Sequence, residues 1–175
     1  ITERIESMSE KLEIRFFNGL SVRQNGEPLN EFVSSKAEAL LAYLVCNPDA
    51  HQRKALAELL WDDRTPAQAG NNLRVLISNL RQTVGEHLNL EARRPLSVKP
   101  VDLLWADVVE FGKCLANQDL SVHLVRDYLH GLNRMPMLTD AEIENLHKAL
   151  ALYQGPFLYG LKLKAAPSFD DWITT

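Results

Sequence analysis

The stretch Thr65-Pro-Ala-Gln-Ala-Gly-Asn-Asn-Leu-Arg-Val-Leu-Ile-Ser-Asn-Leu-Arg-Gln-Thr-Val-Gly85 decides the fold, because it has the pattern of one long helix with two unlike faces. Thr65 and Gln68 have the spacing of a capping box, and Pro66 stands at the first helical position, where no amide hydrogen bond is lost. We therefore predict a helix over 66–84 that ends at Gly85. One apolar stripe follows its helical period, made of Ala69, Leu73, Ile77, Leu80 and Val84, with Leu76 at its edge.

The opposite face of this helix has the composition of a surface that reads DNA bases. At 100° per residue, several amides, a serine and a valine fall on the side away from the apolar stripe. Amide side chains pair with adenine in the major groove, and a valine can contact a thymine methyl group. The candidates for base contact are Asn71, Val75, Ser78, Asn79 and Gln82. Arg74 and Arg81 lie beside this face and are candidates for phosphate contact. An ordinary solvated helix face is the alternative interpretation.

The chain before this helix predicts a small sheet followed by two helices. Apolar and polar residues alternate from Leu12 to Phe16, and two Asn-Gly pairs at 18–19 and 25–26 indicate tight turns between short strands. Ser35-Lys-Ala-Glu38 has the spacing of a capping box and predicts a helix that ends before Pro48. A shorter helix follows over about 53–61.

The chain after this helix predicts a hairpin. Both arms of residues 88–99 alternate, and Arg93-Arg94-Pro95 stands at the predicted tip. Two helices joined by a short turn and followed by a hairpin indicate a winged helix-turn-helix over residues 11–102. Arg93 and Arg94 are candidates for contact with phosphates or the minor groove. Residues 64–99 carry six Lys and Arg against two Asp and Glu, so this part is basic although the chain has a net charge of −4.

Beyond Pro100 the pattern is purely helical. We predict helices over 107–115 and 120–129, a third that starts with the capping box Thr139–Glu142, and a fourth around residues 166–172. Such helix pairs are typical of an α-helical hairpin array. Residues 103–175 are therefore predicted to be the start of an all-helical, TPR-like domain that is truncated here, with the domain boundary near residues 100–106.

The composition excludes several classes of protein. With 46% hydrophobic and 24% charged residues among 175, the chain has the proportions of a globular protein and not of a disordered one. No apolar run approaches the roughly 18 residues of a membrane-spanning helix. Two distant cysteines, Cys46 and Cys114, argue against a disulfide framework and favour a reduced cytosolic protein.

Four stretches in the first half of the chain resemble the SARP-type (Streptomyces antibiotic regulatory protein) bacterial transcriptional activators: 12–22, 35–44, 55–61 and 72–81. Three in the second half resemble the bacterial transcriptional activator domain of that family, Trp105–Phe111, Ala149–Leu158 and Phe169–Trp172. The resemblance implies an OmpR/PhoB-type winged helix followed by an all-helical, TPR-like domain. It also implies a cytoplasmic activator that binds double-stranded DNA at direct repeats near promoters, self-associates on DNA and acts through RNA polymerase. Many relatives are richer in arginine near the start of the third predicted helix, where this chain has Ala69-Gly-Asn-Asn72.

Signals for enzyme chemistry are weak. The sequence has no glycine-rich phosphate loop and no serine or metalloprotease motif, so we predict no enzyme, no catalytic residue and no cofactor. His123, Asp127 and His130 share a predicted helix face, but this spacing is more typical of surface residues than of a metal site. The pair Asp62-Asp63 is interpreted as a turn that caps the next helix. The alternative function is a helical protein-interaction module whose winged helix no longer binds DNA, since both ends of the chain are acidic.

Overall fold

The computed structural model describes residues 12–29, 32–85, 95–96, 104–116 and 138–174, which form a mixed α+β fold with a four-stranded sheet and six helices. The strands are β1 (Leu12–Arg15), β2 (Ser21–Gln24), β3 (Glu27–Pro28) and β4 (Leu104–Ala106). The helices are α1 (Ser35–Cys46), α2 (Arg53–Leu60), α3 (Pro66–Val84), α4 (Asp107–Ala116), α5 (Asp140–Leu152) and α6 (Pro167–Thr174). Within these ranges, every helix is too short or too polar to cross a membrane.

The sheet has the order β3-β2-β1-β4. The predicted meander is confirmed: β1 and β2 are antiparallel, with Ile14 opposite Val22. Asn25 and Gly26 between β2 and β3 both have positive φ, at 52° and 86°, as a tight hairpin turn requires. The fourth strand was not predicted. Leu104–Ala106 pairs in parallel with β1, so the expectation that the chain is purely helical beyond Pro100 was wrong.

Helices α1 to α3 pack as a helix-turn-helix unit against this sheet. The predicted stripe of α3 is buried throughout, and α1 buries an unbroken apolar run. The predicted ends of α1 and α2 agree with the structure to within one residue, but the capping box at Ser35 is wrong. Ser34 is the N-cap residue of α1, and it makes no side-chain cap hydrogen bond. The capping boxes at Thr65 and Thr139 are confirmed, each with both reciprocal hydrogen bonds.

Helices α4 and α5 pack against each other, while α6 packs against α2 of the helix-turn-helix. The predicted helix at 120–129 lies outside the described residues. The apolar residues of α5 and its C-cap are mostly not buried: Ala149 is the buried residue of the helix, whereas Ile143, Leu150 and Tyr153 are exposed. Phe169 of α6 is fully buried in the same hydrophobic cluster as β1 and α1, so one core extends from the sheet and α1 into the last helix.

Candidate nucleic-acid interface

Helix α3 separates a buried face from an exposed one. Its start is fixed by the capping box, in which the Gln68 amide donates to Thr65 Oγ1 at 3.4 Å and the Thr65 amide donates to Gln68 Oε1 at 3.3 Å. Its buried residues anchor it against α1 and α2. The arrangement holds a helix of about 28 Å rigidly while one side of it remains accessible.

The structure places the base-contact candidates together on the accessible side. Asn71, Val75, Ser78 and Gln82 are all exposed, and Val75 exposes 61% of its surface. Asn79 is half-buried and lies at the margin of this face. Side chains on this face can donate and accept hydrogen bonds, and Val75 adds an apolar contact in the middle. We call the exposed surface formed by Asn71, Val75, Ser78 and Gln82 the reading face.

Three arginines converge beside the reading face. Arg74 is exposed and Arg81 is half-buried on α3, and Arg53 stands at the first position of α2. Burial lowers the pKa of the Arg53 guanidinium, and the charges of Arg81 and Arg74 lower it further. A cation whose pKa is depressed by neighbouring cations lies in a positive potential, and such a surface attracts phosphate.

Arg53 was not among the contact residues predicted from the sequence. In the sequence Arg53 falls in the acidic part of the chain, before the basic block that begins at Arg64. A signal was present: the first helix of a helix-turn-helix crosses the DNA backbone, and Arg53-Lys54 opens the predicted second helix. What the sequence did not give is the packing of α2 against α3, which brings Arg53 close to Arg74 and Arg81.

A groove of about 640 Å³ lies between α2 and α3. Its lining carries the cations Arg53, Lys54, Arg64 and Arg74 and the carboxylates Glu58 and Asp62, beside apolar residues such as Ala57 and Leu73. Glu58 pairs with Lys54 at 3.8 Å, and the cations outnumber the carboxylates, so the surface next to the reading face carries a net positive charge. We call it the α2–α3 groove.

A second groove, of about 410 Å³, lies on the other side of α3. It is lined by Lys36, Trp61, Asp63, Arg64, Gln68, Asn72, Lys164 and Ala165. Lys36 Nζ donates to the Leu60 carbonyl at the C-terminal end of α2 and lies 4.8 Å from the centre of the Trp61 ring. Arg64 forms an ion pair with Asp63 at 3.4 Å. We call this the α1–α3 groove; Trp61 and Arg64 line both grooves.

The wing candidates Arg93 and Arg94 lie outside the described residues. The last residue of the predicted tip, Pro95, is exposed, and Leu96 after it is fully buried. Leu96 forms an antiparallel bridge with His51, in which the His51 amide donates to the Leu96 carbonyl at 2.7 Å and the Leu96 amide donates back at 2.8 Å. The chain just after Arg94 is therefore fixed to the α1–α2 connection.

The interpretation of Asp62-Asp63 as the cap of the next helix was wrong. Thr65 is the N-cap residue of α3. Asp62 Oδ2 instead accepts hydrogen bonds from the amide and the hydroxyl of Ser168, at 3.3 and 3.1 Å. The Ser168 amide is in the first turn of α6, where amides have no partner within the helix. Asp62 therefore joins the turn before α3 to the helical segment.

Other candidate chemistry finds no support in the described part of the chain. These residues include no group of three or more His, Cys, Asp or Glu that could hold a metal ion, and the weak candidates His123, Asp127 and His130 lie outside them. Cys46 and Cys114 are both free and half-buried.

Comparison with known proteins supports the architecture. No protein-family model and no curated protein sequence matches the chain. Among solved structures, it is similar to Mycobacterium tuberculosis EmbR in complex with low affinity phosphopeptide, with a TM-score of 0.64 and 21% sequence identity. The match covers 94% of this chain and 41% of the EmbR chain. At this level of identity the likeness shows a shared fold, over less than half of the length of the EmbR chain.

Proposed function

We propose that this chain is the DNA-binding part of a bacterial transcriptional regulator and that α3 reads bases in the major groove. One observation carries the proposal: a rigidly anchored helix exposes Asn71, Val75, Ser78 and Gln82 together, with Val75 61% exposed. An exposed valine by itself is common on protein surfaces, but here it lies between amides and a serine on one helix face. Such a face can contact base edges and thymine methyl groups.

The distribution of positive charge also supports the placement of α3 in the major groove. Arg53, Arg74 and Arg81 stand on one flank of the reading face, and the wing candidates Arg93 and Arg94 follow α3 in the chain. Phosphate contacts of this kind position a protein on DNA without reading sequence. In this arrangement the reading face determines which DNA sequence is bound, and the arginines contribute an affinity that falls as the salt concentration rises.

The remaining functional assignments follow from the resemblance and belong to the proposal. They are binding at directly repeated sites near promoters, self-association on DNA, activation through RNA polymerase, and a cytoplasmic location. The proposal is of a regulator without enzymatic activity. The fold shared with EmbR supports it at the level of architecture.

The test is selection of bound duplexes from a random-sequence DNA library by the full chain, followed by affinity measurements over a range of salt concentrations. The proposal expects an enriched short motif and a Kd that rises with salt. A folded chain that enriches no motif and binds no duplex in a salt-sensitive way would overturn it.

A second candidate function is favoured by the surface of α5. Leu150 exposes 69% of its surface, and Ile143 and Tyr153 are also exposed on this helix. Exposed apolar side chains at helical spacing are typical of a surface that binds another protein. The protein-interaction module therefore stays as the alternative function. It expects Leu150→Asp to abolish association with a partner protein and to leave duplex binding unchanged.

A further inference from the structure

Lys164 reaches the DNA-binding helix from the helical part of the chain. It lies between Leu163, which is buried, and Ala165, which is exposed, in the segment that leads into α6. Ala165 has a φ of 52°, a left-handed conformation that a non-glycine residue rarely adopts. Such a conformation persists where the surrounding structure holds the chain in place. The position of Lys164 is therefore fixed by its buried neighbours on either side, Leu163 and Ala166.

Across the α1–α3 groove, Lys164 faces Gln68 and Asn72 of α3. The lining of this groove includes the cations Lys36, Arg64 and Lys164 and the carboxylate Asp63. Arg64 also lines the α2–α3 groove, and the charges of Asp63 and Asp62 act on Lys36, so Lys164 is the cation that belongs to this flank without a described carboxylate acting on it. Asp63 is already paired with Arg64. Lys164 is exposed and has no hydrogen bond or ion pair to another described residue, so its charge is available to a ligand.

The two grooves lie on opposite flanks of the reading face. On the helical wheel, Gln68 and Asn72 fall on one side of Val75, and Arg74 and Gly70 fall on the other. A recognition helix in the major groove, which is roughly 12 Å wide, has a phosphate backbone on each side. Each flank of α3 therefore carries cations where one of the two backbones would pass.

We infer that Lys164, with Arg64 and Lys36, forms a second phosphate-binding site that contacts the DNA strand opposite to the one held by Arg53 and Arg74. The inference rests on the proposed function and extends it. The DNA-binding surface includes a residue from beyond the winged helix, so the helical segment helps to bind DNA as well as serving other roles. Lys36 has less freedom than Lys164 here, because Lys36 also donates to Leu60 and stacks on Trp61.

The test compares Lys164→Ala with the matched variant Lys162→Ala in the full chain. Lys162 is exposed in the same segment and does not line the groove. The probe is a duplex that carries the motif selected by the unmodified chain, together with a scrambled duplex of equal length. Lys164→Ala should weaken binding to both duplexes several-fold and lower the slope of log K against log salt by about 0.9, the contribution of one phosphate contact. Lys162→Ala should change neither quantity.

Lys164→Arg should restore the slope, because it keeps the charge, and thermal unfolding of both variants should match that of the unmodified chain. Equal salt slopes for Lys164→Ala, Lys162→Ala and the unmodified chain would overturn the inference and leave the proposed function standing. If the unmodified chain binds no duplex in a salt-sensitive way, both fail together.

Discussion

Both carboxylate oxygens of Asp107 accept the backbone amide of Phe16, at 2.9 and 3.0 Å. Asp107 is 2% exposed and is the first residue of α4, whereas Phe16 is the residue directly after β1. The same carboxylate accepts the Phe17 amide at 3.1 Å and the amide of Val108 at 2.7 Å. A buried carboxylate is thus surrounded by backbone donors, and it ties the chain after β1 to the start of α4.

We expect Asp107→Ala to lower the free energy of unfolding by about 3 kcal/mol or more, because it leaves buried amides without an acceptor at roughly 1–3 kcal/mol each. Denaturation in urea measures the loss. Glu110→Ala on the same helix is the control: its ion pair with Lys113 is at the surface and should contribute less than about 1 kcal/mol. Equal losses for the two variants would contradict the tethering role of Asp107.

Substitutions of Val75 and Leu73, two positions apart on α3, should affect different properties: the first the selected DNA motif, the second the free energy of unfolding. Val75→Ala should leave the free energy of unfolding within about 0.5 kcal/mol of the unmodified chain, because Val75 is exposed. Nevertheless it should change the selected DNA motif at one position. Leu73→Ala, two residues away and 1% exposed, should lower the free energy of unfolding by about 2–5 kcal/mol. Duplex selection with both variants, and with Asn71→Ala and Ser78→Ala, measures this. If all three reading-face variants select an unchanged motif, α3 does not read bases.

Arg53 should act on affinity without acting on specificity. Arg53→Gln removes a cation from the cluster with Arg74 and Arg81, so binding should weaken by a similar factor on all sequences and the salt slope should fall by about 1. Arg23→Gln, at an exposed position of β2 that lines neither groove, is the matched control. A change of preferred motif in Arg53→Gln would mean that this arginine contacts bases.

The salt dependence of DNA binding also tests the proposed role of Arg93 and Arg94. Arg93→Ala and Arg94→Ala should weaken binding to every sequence and flatten its dependence on salt. Each substitution removes a cation that would contact phosphate. Leu96, two residues after Arg94, is held to His51 by two backbone hydrogen bonds. An unchanged slope in both variants would count against the wing as a phosphate contact.

Cys46 should be an unreactive thiol in the folded protein. Burial raises the pKa of Cys46 from its ordinary value near 9 to about 12, and the nearby Asp107 carboxylate contributes to the rise. Because the thiolate is the reacting form, a Cys114→Ser variant should be alkylated slowly at pH 9 when folded and quickly when denatured. A folded rate equal to the denatured rate would contradict this environment.

The same shift predicts how stability depends on pH. Above pH 9 the unfolded chain releases the Cys46 proton while the folded chain still holds it, so folding stability should fall as the pH rises from about 9 to about 12. Below pH 9 this contribution is fully present. Cys46→Ala should lack this part of the decline, which urea denaturation at several pH values would show. An identical decline in both proteins would contradict the assignment to Cys46.

Local sequence rules explain where the predictions succeeded. The capping boxes at Thr65 and Thr139 formed because each needs groups only three residues apart. At Ser35 the same pattern failed, since the helix takes Ser34 as its N-cap. The exposed stripe of α5 shows a further limit: periodicity tells which residues share a face, but it does not tell whether anything covers that face.

The parts of the candidate interface that depend on contacts between distant residues could not be predicted from the sequence. The sequence placed Asn71, Val75, Ser78 and Gln82 on one face because helical geometry alone fixes that relationship. It did not predict that Arg53 lies beside Arg74, nor that Lys164 lines a groove with Asn72, 92 positions earlier in the chain. Those pairs are brought together by packing, which no local period records.

The sequence by itself determined the helices, the turns and the two faces of α3, because hydrogen bonding within a turn or a helix depends on residues a few positions apart. Only the tertiary structure decided that Leu104–Ala106 joins the sheet beside β1 and that Asp107 accepts the amides of Phe16 and Phe17. It likewise decided that the helical segment brings Lys164 to a groove beside α3. These arrangements arise from burial of one shared core, whose contacts join residues about 90 positions apart.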